Sequence, residues 1–323
     1  MRGSYEVRVR NRRKVAFRFV LHRNITVVRG SSGTGKSTLY DMIAAHMRGN
    51  VGNAINLSCD KQCVALTDFD WQHQLSGFRD SIVFVDEGAQ YIASEEFARA
   101  VRNSNNYYVL FTRIPLYQLP YSINEIYRIK TSGRYHTFVP EYQQKKGLAF
   151  GSASKSRATY TLLLVEDSKS GLEFFEARFA NSEVRCATSN GRSGIYQWLR
   201  EHQGQKVFVI ADGAAFGPEA SRVLALQAQH PQDIRICLPE SFEWLLMKSG
   251  ILHDAHMEDV LSDPSSFIES ADYPSWERFF TDLLRQTTHG TPYAYGKQQL
   301  AEPWKQETNA SKVMTLIANG NVR

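Results

Sequence analysis

The sequence predicts an α/β protein in two parts: a sheet with an N-terminal antiparallel hairpin, then a second, mostly parallel α/β sheet with a helical C-terminal tail. Three observations predict it. Short apolar runs alternate with helix-like stretches along most of the chain, the pattern of strands packed beneath helices. Two segments that alternate apolar and polar residues, YEVRVR and VAFRFVL, precede the first of those runs and read as a hairpin with the turn at 11–14. A stretch rich in Gly, Ser and Lys, QQKKGLAFGSASKSR at 143–157, interrupts the alternation and divides it into two series.

Length agrees, since 323 residues suffice for two domains that each bury a core. In the first series ITVVR at Ile25–Arg29 reads as a buried strand, followed by a helix over 37–47. Further strands are expected at 64–66, 82–85 and Tyr107–Phe111, with a helix at Glu95–Arg102. In the second series the strands are expected at 159–165, 184–188, 206–211 and 234–238. Helices follow them at 169–179, 193–201, 218–229 and 241–248. In the tail, Trp276, Phe279, Phe280, Leu283 and Leu284 recur at helical spacing and read as core. The expected domains are 1–145, a linker at 146–158, 159–250 and a mainly helical extension at 251–323.

Apolar residues make up 42% and charged residues 22%, which is the composition of an ordinary globular domain. No run approaches the ~18 apolar residues of a membrane span, and MRGSYEVRVRNRRK lacks the apolar core of a secretory signal. Cys59, Cys63, Cys186 and Cys237 are too few and scattered for a disulfide framework or a zinc site. Reduced thiols and a cytoplasmic location are expected. The net charge of +5 is uneven: residues 1–36 carry +9, leaving −4 for the rest. That asymmetry fits a surface that meets polyanions; equally, the arginines of YEVRVR occupy the solvent face of a strand.

Residues 30–37 read GSSGTGKS between a strand and a helix. Phosphate binding needs backbone N–H groups closed around anionic oxygens at a helix N-terminus, which Gly30, Gly33 and Gly35 permit. This is the P-loop pattern. It assigns nucleotide contacts to Gly30, Ser31, Ser32, Gly33, Thr34, Gly35, Lys36, Ser37 and Thr38, with Lys36 on the β- and γ-phosphates and Ser37 on Mg²⁺. Fifty residues after Lys36, the apolar run IVFV ends in Asp86 and Glu87. Asp86 suits Mg²⁺, and Glu87 suits orienting or deprotonating an attacking water, which favours hydrolysis over binding alone. Arg113, at the end of the next strand, can stabilise γ-phosphate charge or form a structural salt bridge.

These segments together resemble the ABC-type ATPase core of the Rad50-like kind, in which the residue in Arg113's place is usually histidine. Leu75-Ser76-Gly77 resembles the start of the ABC signature, but it lies almost against the Asp86 strand, and the helical lobe of that family is missing. Dimerisation through a composite site is therefore not expected. In the second series, LLLVED ends a strand at Glu166, GRSGI at 191–195 opens a helix, and VFVIADGAAFG places Asp212 at a strand end. This order resembles Toprim domains of topoisomerases, primases and OLD-family nucleases. The resemblance implies Mg²⁺ held by Glu166 and Asp212, with Glu243 or Glu240 completing the cluster. One departure stands out, because Ala214 occupies the second Asp position of the family's D-x-D motif.

An ATPase core followed by a Toprim-like domain resembles OLD-family and Gabija-type antiphage nucleases. The resemblance implies an ATP-regulated, Mg²⁺-dependent nuclease acting on DNA or RNA, as a homo-oligomer or with a partner subunit and without a membrane. The alternative is an ATP-driven sensor or scaffold whose degenerate Toprim-like domain binds a partner protein or nucleic acid; a small-molecule kinase ranks behind both.

Overall fold

The computed structural model describes residues 1–12, 15–49, 55–142 and 160–319, and the expected boundary at 143–157 and linker at 146–158 lie outside them. β1 (Tyr5–Arg10) and β2 (Ala16–Leu21) pair antiparallel, with Val7 opposite Phe19 and Arg8 opposite Arg18. Side chains alternate across a strand, so Val7, Val9, Phe17 and Phe19 are buried while Arg8, Arg10 and Arg18 stay exposed. β3 (Ile25–Arg29) buries Ile25, Thr26, Val27 and Val28 in succession, as a strand covered on both faces must.

α1 (Lys36–Met47), β4 (Asn56–Ser58), β5 (Gln62–Leu66), α2 (Trp71–Gly77), β6 (Ser81–Val85), α3 (Glu95–Arg102) and β7 (Tyr107–Phe111) follow. α3 carries a complete set of end signals: the Ser94 hydroxyl accepts from the Phe97 N–H at 3.1 Å, Glu95 and Glu96 open it, and Arg99 and Arg102 close it. Such a cap contributes about 1 kcal/mol. Among the described residues β8 (Ile126–Ser132) and β9 (Tyr135–Pro140) complete a nine-stranded mixed sheet, in the order β4-β1-β2-β9-β8-β3-β7-β6-β5. β8, β3, β7, β6 and β5 run parallel, and β8–β9 is an antiparallel hairpin. That hairpin, β4 and α2 go beyond the elements expected from sequence. β9 is partly exposed along its whole length, so it lacks a buried stripe to betray it. Leu75-Ser76-Gly77 form the last turn of α2.

The second sheet consists of β10 (Leu162–Val165), β11 (Arg185–Thr188), β12 (Val207–Ile210) and β13 (Ile234–Cys237), all parallel, in the order β11-β10-β12-β13. α4 (Ser170–Phe179), α5 (Arg192–Glu201) and α6 (Gly217–Gln229) connect them, and α7 (Phe242–Lys248) follows β13. The chain steps from β10 out to β11, then returns past β10 to β12. Right-handed crossovers therefore place α4 on one face and α5 and α6 on the other, and α5 packs on α6. The direction reverses between β10 and β12, which makes their C-terminal ends the topological switch point.

α8 (Ala255–Ser262), α9 (Trp276–Thr288), α10 (Glu302–Lys305) and α11 (Glu307–Asn319) complete the chain's described helices. Residues 251–323, read from sequence as an extension, divide between two compact units. The first is Met1–Gln143 with Asp263–Ser275, the second Gln144–Ser262 with Trp276–Arg323. α9 and α11 pack on α7, and α10 and α11 on α4, because Phe280, Leu284, Trp304, Val313 and Ile317 need an apolar surface to bury against.

Candidate functional site

In the first unit, β3 delivers the glycine-rich loop and α1 leaves it. Gly30, Gly33 and Gly35 have φ of 141°, 79° and 100°, which side-chain-bearing residues rarely adopt. Alternating left-handed residues of this kind curl the backbone into a nest whose N–H groups converge on an anion. α1 starts with no side-chain cap, so the N–H groups of its first turn and the positive end of its dipole have no capping side chain.

Lys36 is only 4% exposed. Its Nζ donates to the carbonyls of Gly30 at 2.5 Å and Ser31 at 3.0 Å, and lies 3.3 Å from Glu87 Oε2. The other Glu87 oxygen pairs with the Arg113 guanidinium. Lys36, Arg113 and Glu87 come from just beyond the C-terminal ends of β3, β7 and β6, three neighbouring parallel strands. The structure thus joins residues spread over 77 positions of sequence at one sheet edge. Asp86 stands beside them, half-buried, and its Oδ1 is buried without a hydrogen-bond partner among the described residues. An orphaned acceptor costs about 1–3 kcal/mol, and a hydrated cation would satisfy it. Ser31, Ser32, Ser37 and Thr38 are exposed, while the Thr34 hydroxyl donates to the Ser31 carbonyl at 3.0 Å.

In the second unit, a cavity of about 240 Å³ opens at the switch point. Glu166, following β10, and Asp212, following β12, line it together with Glu243 of α7, Glu277 of α9, and Lys297. The Asp212 N–H donates to Glu166 Oε2 at 2.9 Å, and the Phe242 N–H donates to Asp212 Oδ1 at 3.1 Å. Burial pushes Glu166 up to about 7, with Glu277 adding repulsion. Asp212 is also raised, by burial and then by Glu277, Glu166 and Glu243, with Lys297 opposing them. Lys297 sits 3.0 Å from Glu277 and 3.8 Å from Glu243. Those neighbours outweigh burial and hold its ammonium charged.

Glu243 is 2% exposed and already engaged: its Oε1 accepts from Thr281 at 3.0 Å and Tyr295 at 2.8 Å. Glu240 is buried, and its carbonyl receives the Ala214 N–H at 3.1 Å. Ala214 is itself buried, and the Asp212-Gly213-Ala214 turn is pressed against β13's exit. A Cβ on Gly213 would meet the carbonyls of Leu238 and Pro239 at 2.8 Å each, so only glycine fits there.

Carboxylate oxygens are the donors Mg²⁺ prefers. Among the described residues, however, no three His, Cys, Asp or Glu side chains are grouped to hold an ion. A pair of carboxylates such as Glu166 and Asp212 is within what Mg²⁺ commonly takes from a protein, since that ion keeps several waters in its shell. Sequence reading missed Glu277, Lys297 and Asp167. Asp167 holds the start of α4, accepting from the Lys169 and Gly171 N–H groups at 3.0 and 2.8 Å; an acid just before a helix is its signal. Glu277 hides beside Trp276 on an amphipathic helix, and Lys297 lies in an irregular segment with no motif. No protein-family model, curated protein or solved structure matches this chain, so the reading of both strand-end clusters rests on their geometry.

Proposed function

We propose that the first unit binds and hydrolyses ATP and that its nucleotide state controls a Mg²⁺-dependent, Toprim-like nuclease in the second unit, acting on DNA or RNA. The observation that carries the first part is the meeting of Lys36, Glu87 and Arg113 over the left-handed glycines, beside the orphaned Asp86 oxygen. On nucleotide binding, Lys36 would leave the Gly30 and Ser31 carbonyls for phosphate oxygens. Glu87, freed of that ammonium, then accepts a proton from water while Arg113 holds its other oxygen. Ser37 and Asp86 would hold Mg²⁺, which supplies charge neutralisation at the phosphates.

In the second unit, support comes from acids at the switch point of a parallel sheet, the usual ligand crevice of such folds. Glu166 and Asp212 would hold Mg²⁺, a Lewis acid toward a phosphodiester. Lys297 carries positive charge to the cavity wall, and Asp212 is positioned by the Phe242 N–H. The antiphage role follows the resemblance to OLD-family and Gabija-type nucleases. A second reading, a non-cleaving scaffold, is favoured by the buried Ala214 and by the lack of a preformed three-ligand group among the described residues.

The test incubates single- and double-stranded DNA and RNA with wild type, Lys36→Ala and Asp212→Asn, with and without ATP and Mg²⁺. Cleavage by wild type alone, with Asp212→Asn keeping its ATPase, is the expected outcome. Equal survival of every substrate with wild type and Asp212→Asn hands the second unit to the scaffold reading. Mn²⁺ calorimetry on the same variant reports ion binding independently of cleavage.

A further inference from the structure

β2 and β9 begin as parallel neighbours, pairing Ala16 with Tyr135 and Phe17 with His136. No further pairs between these strands occur among the described residues, although β2 continues to Leu21 and β9 to Pro140. The strands splay, and a cleft of about 640 Å³ lies between them. Beneath the gap, on the buried face of the sheet, Phe19 of β2 stacks on Phe138 of β9 at 3.9 Å and 13°, with Tyr127 of β8 at 5.9 Å from Phe138 and Phe19 only 3% exposed. The cleft's walls and rim include Arg18, Val20, His22, Lys130 and Tyr135. A stacked pair therefore does the bridging where a hydrogen-bond ladder stops, and backbone edges of both strands are left facing the gap.

Register decides what surrounds that cleft. Opposed residues in neighbouring strands share a face. Arg8 opposes Arg18, Ala16 opposes Tyr135, and on β9 Thr137 and Val139 oppose Lys130 and Arg128. Arg8, Arg10, Arg18, Lys130 and Arg128 consequently lie on one face, all exposed, with Tyr135 56% exposed among them. Arg134 adds a cation at the hairpin tip, 5.0 Å from the Tyr135 ring. The acids that answer them are Glu6, paired with Arg8 and Arg18, and Glu141, 3.7 Å from Arg128. Six cations against two acids leave a surplus of four, spread over β1, β2, β9 and β8, roughly 15 Å at ~5 Å per strand.

We infer that this cleft is a seat for a single-stranded polynucleotide, with a base on the exposed Tyr135 ring at its rim and neighbouring phosphates on Arg18, Lys130 and the flanking arginines. The charge surplus suits a polyanion. An exposed tyrosine among those cations suits an unstacked base, which a duplex keeps inside its stack, whereas single strands bind through stacking platforms set in basic grooves. An acidic peptide would use the cations but leave the Tyr135 ring idle. The inference concerns the first unit alone and stands whether or not the second unit cleaves.

The test is fluorescence anisotropy of the full chain with labelled single-stranded DNA, single-stranded RNA, duplex DNA and an abasic DNA strand. EDTA is present throughout, so that binding is read without cleavage. Wild type is expected to prefer one or both single strands over duplex and over the abasic strand. Arg18→Glu/Lys130→Glu should lose at least tenfold in affinity, and the slope of log affinity against log salt should fall by about 1.4, the value for two phosphates of a single strand. Tyr135→Ala, at an exposed position, should narrow the gap between normal and abasic strands. Arg18→Lys, which keeps the charge and guards against misfolding of the double variant, should bind nearly as wild type. Equal binding by wild type and Arg18→Glu/Lys130→Glu overturns the inference. So does preference for duplex, or a self-associated state that the same two substitutions dissociate.

Discussion

The two strand-end clusters balance charge in opposite ways. In the first unit, Glu87 has a cation on each oxygen, Lys36 and Arg113, and Asp86 beside it has an unsatisfied atom. In the second, Glu166, Asp212, Glu243 and Glu277 share one cavity with Lys297, and the charges of Glu166 and Asp212 are opposed by burial and by their neighbours. The first cluster is charge-balanced, with Lys36 and Arg113 against Glu87 and Asp86. The second carries an excess of negative charge that only added cations or protons relieve. An anionic ligand thus suits the first and a cation the second.

The largest expected effect breaks the comparison on the first unit's side. Lys36→Ala should abolish ATP binding measured by calorimetry, while Glu87→Gln should retain binding and lose about 10²–10⁴-fold in hydrolysis. If Glu87→Gln hydrolyses as fast as wild type, Glu87 is only the counter-ion of Lys36, and the two clusters lose their functional contrast.

A smaller effect sharpens the second unit's side. An unfolded glutamate releases its proton near 4.5, while Glu166 in the fold holds it to about 7. Between those values the native state binds more protons than the unfolded one, so the Glu166 contribution to stability is lost as pH rises from about 4.5 to about 7. The raised Asp212 acts in the same direction. Thermal unfolding in EDTA should show this decline. Glu166→Gln should flatten it, and millimolar Mg²⁺ should raise the melting temperature most at the alkaline end. A melting temperature that climbs across this range would falsify the picture of uncompensated acids.

Arg113→Ala should have the smallest effect and decides between two roles. The Arg113 side chain is 56% exposed, and an exposed pair contributes about 0.2–1 kcal/mol, so loss of a mere Glu87 partner lowers hydrolysis no more than about fivefold. A loss of about a thousandfold in turnover, with binding kept, instead marks contact with the transferring phosphate.

The glycine-rich loop and the Asp86-Glu87 strand end were legible because their chemistry is local. Backbone curvature, helix N-terminus and lysine fall within eight consecutive residues, and a buried parallel strand announces itself as an unbroken apolar run. The four strands of the second sheet were legible for the same reason, each being a short apolar run followed by a helix. The β8–β9 hairpin was not, since Tyr135–Pro140 is half exposed and its position beside β2 depends on a distant strand. Glu277 and Lys297 were equally silent, because their importance arises from facing Asp212 across more than 60 residues of chain.

The sequence by itself determined the α/β class, the order of most strands and helices, and the residue types of the loop at 30–37. These follow from side-chain periodicity and glycine stereochemistry, which act over a few residues. Tertiary structure alone decided that Arg113 grips Glu87, that Glu277 and Lys297 enter the cavity of Glu166 and Asp212, and that the arginines of β1 and β2 share a face with Lys130 and Arg128. Strand order and register set those neighbours. Both are fixed by which buried faces fit together over the whole sheet, a choice no local segment of the chain contains.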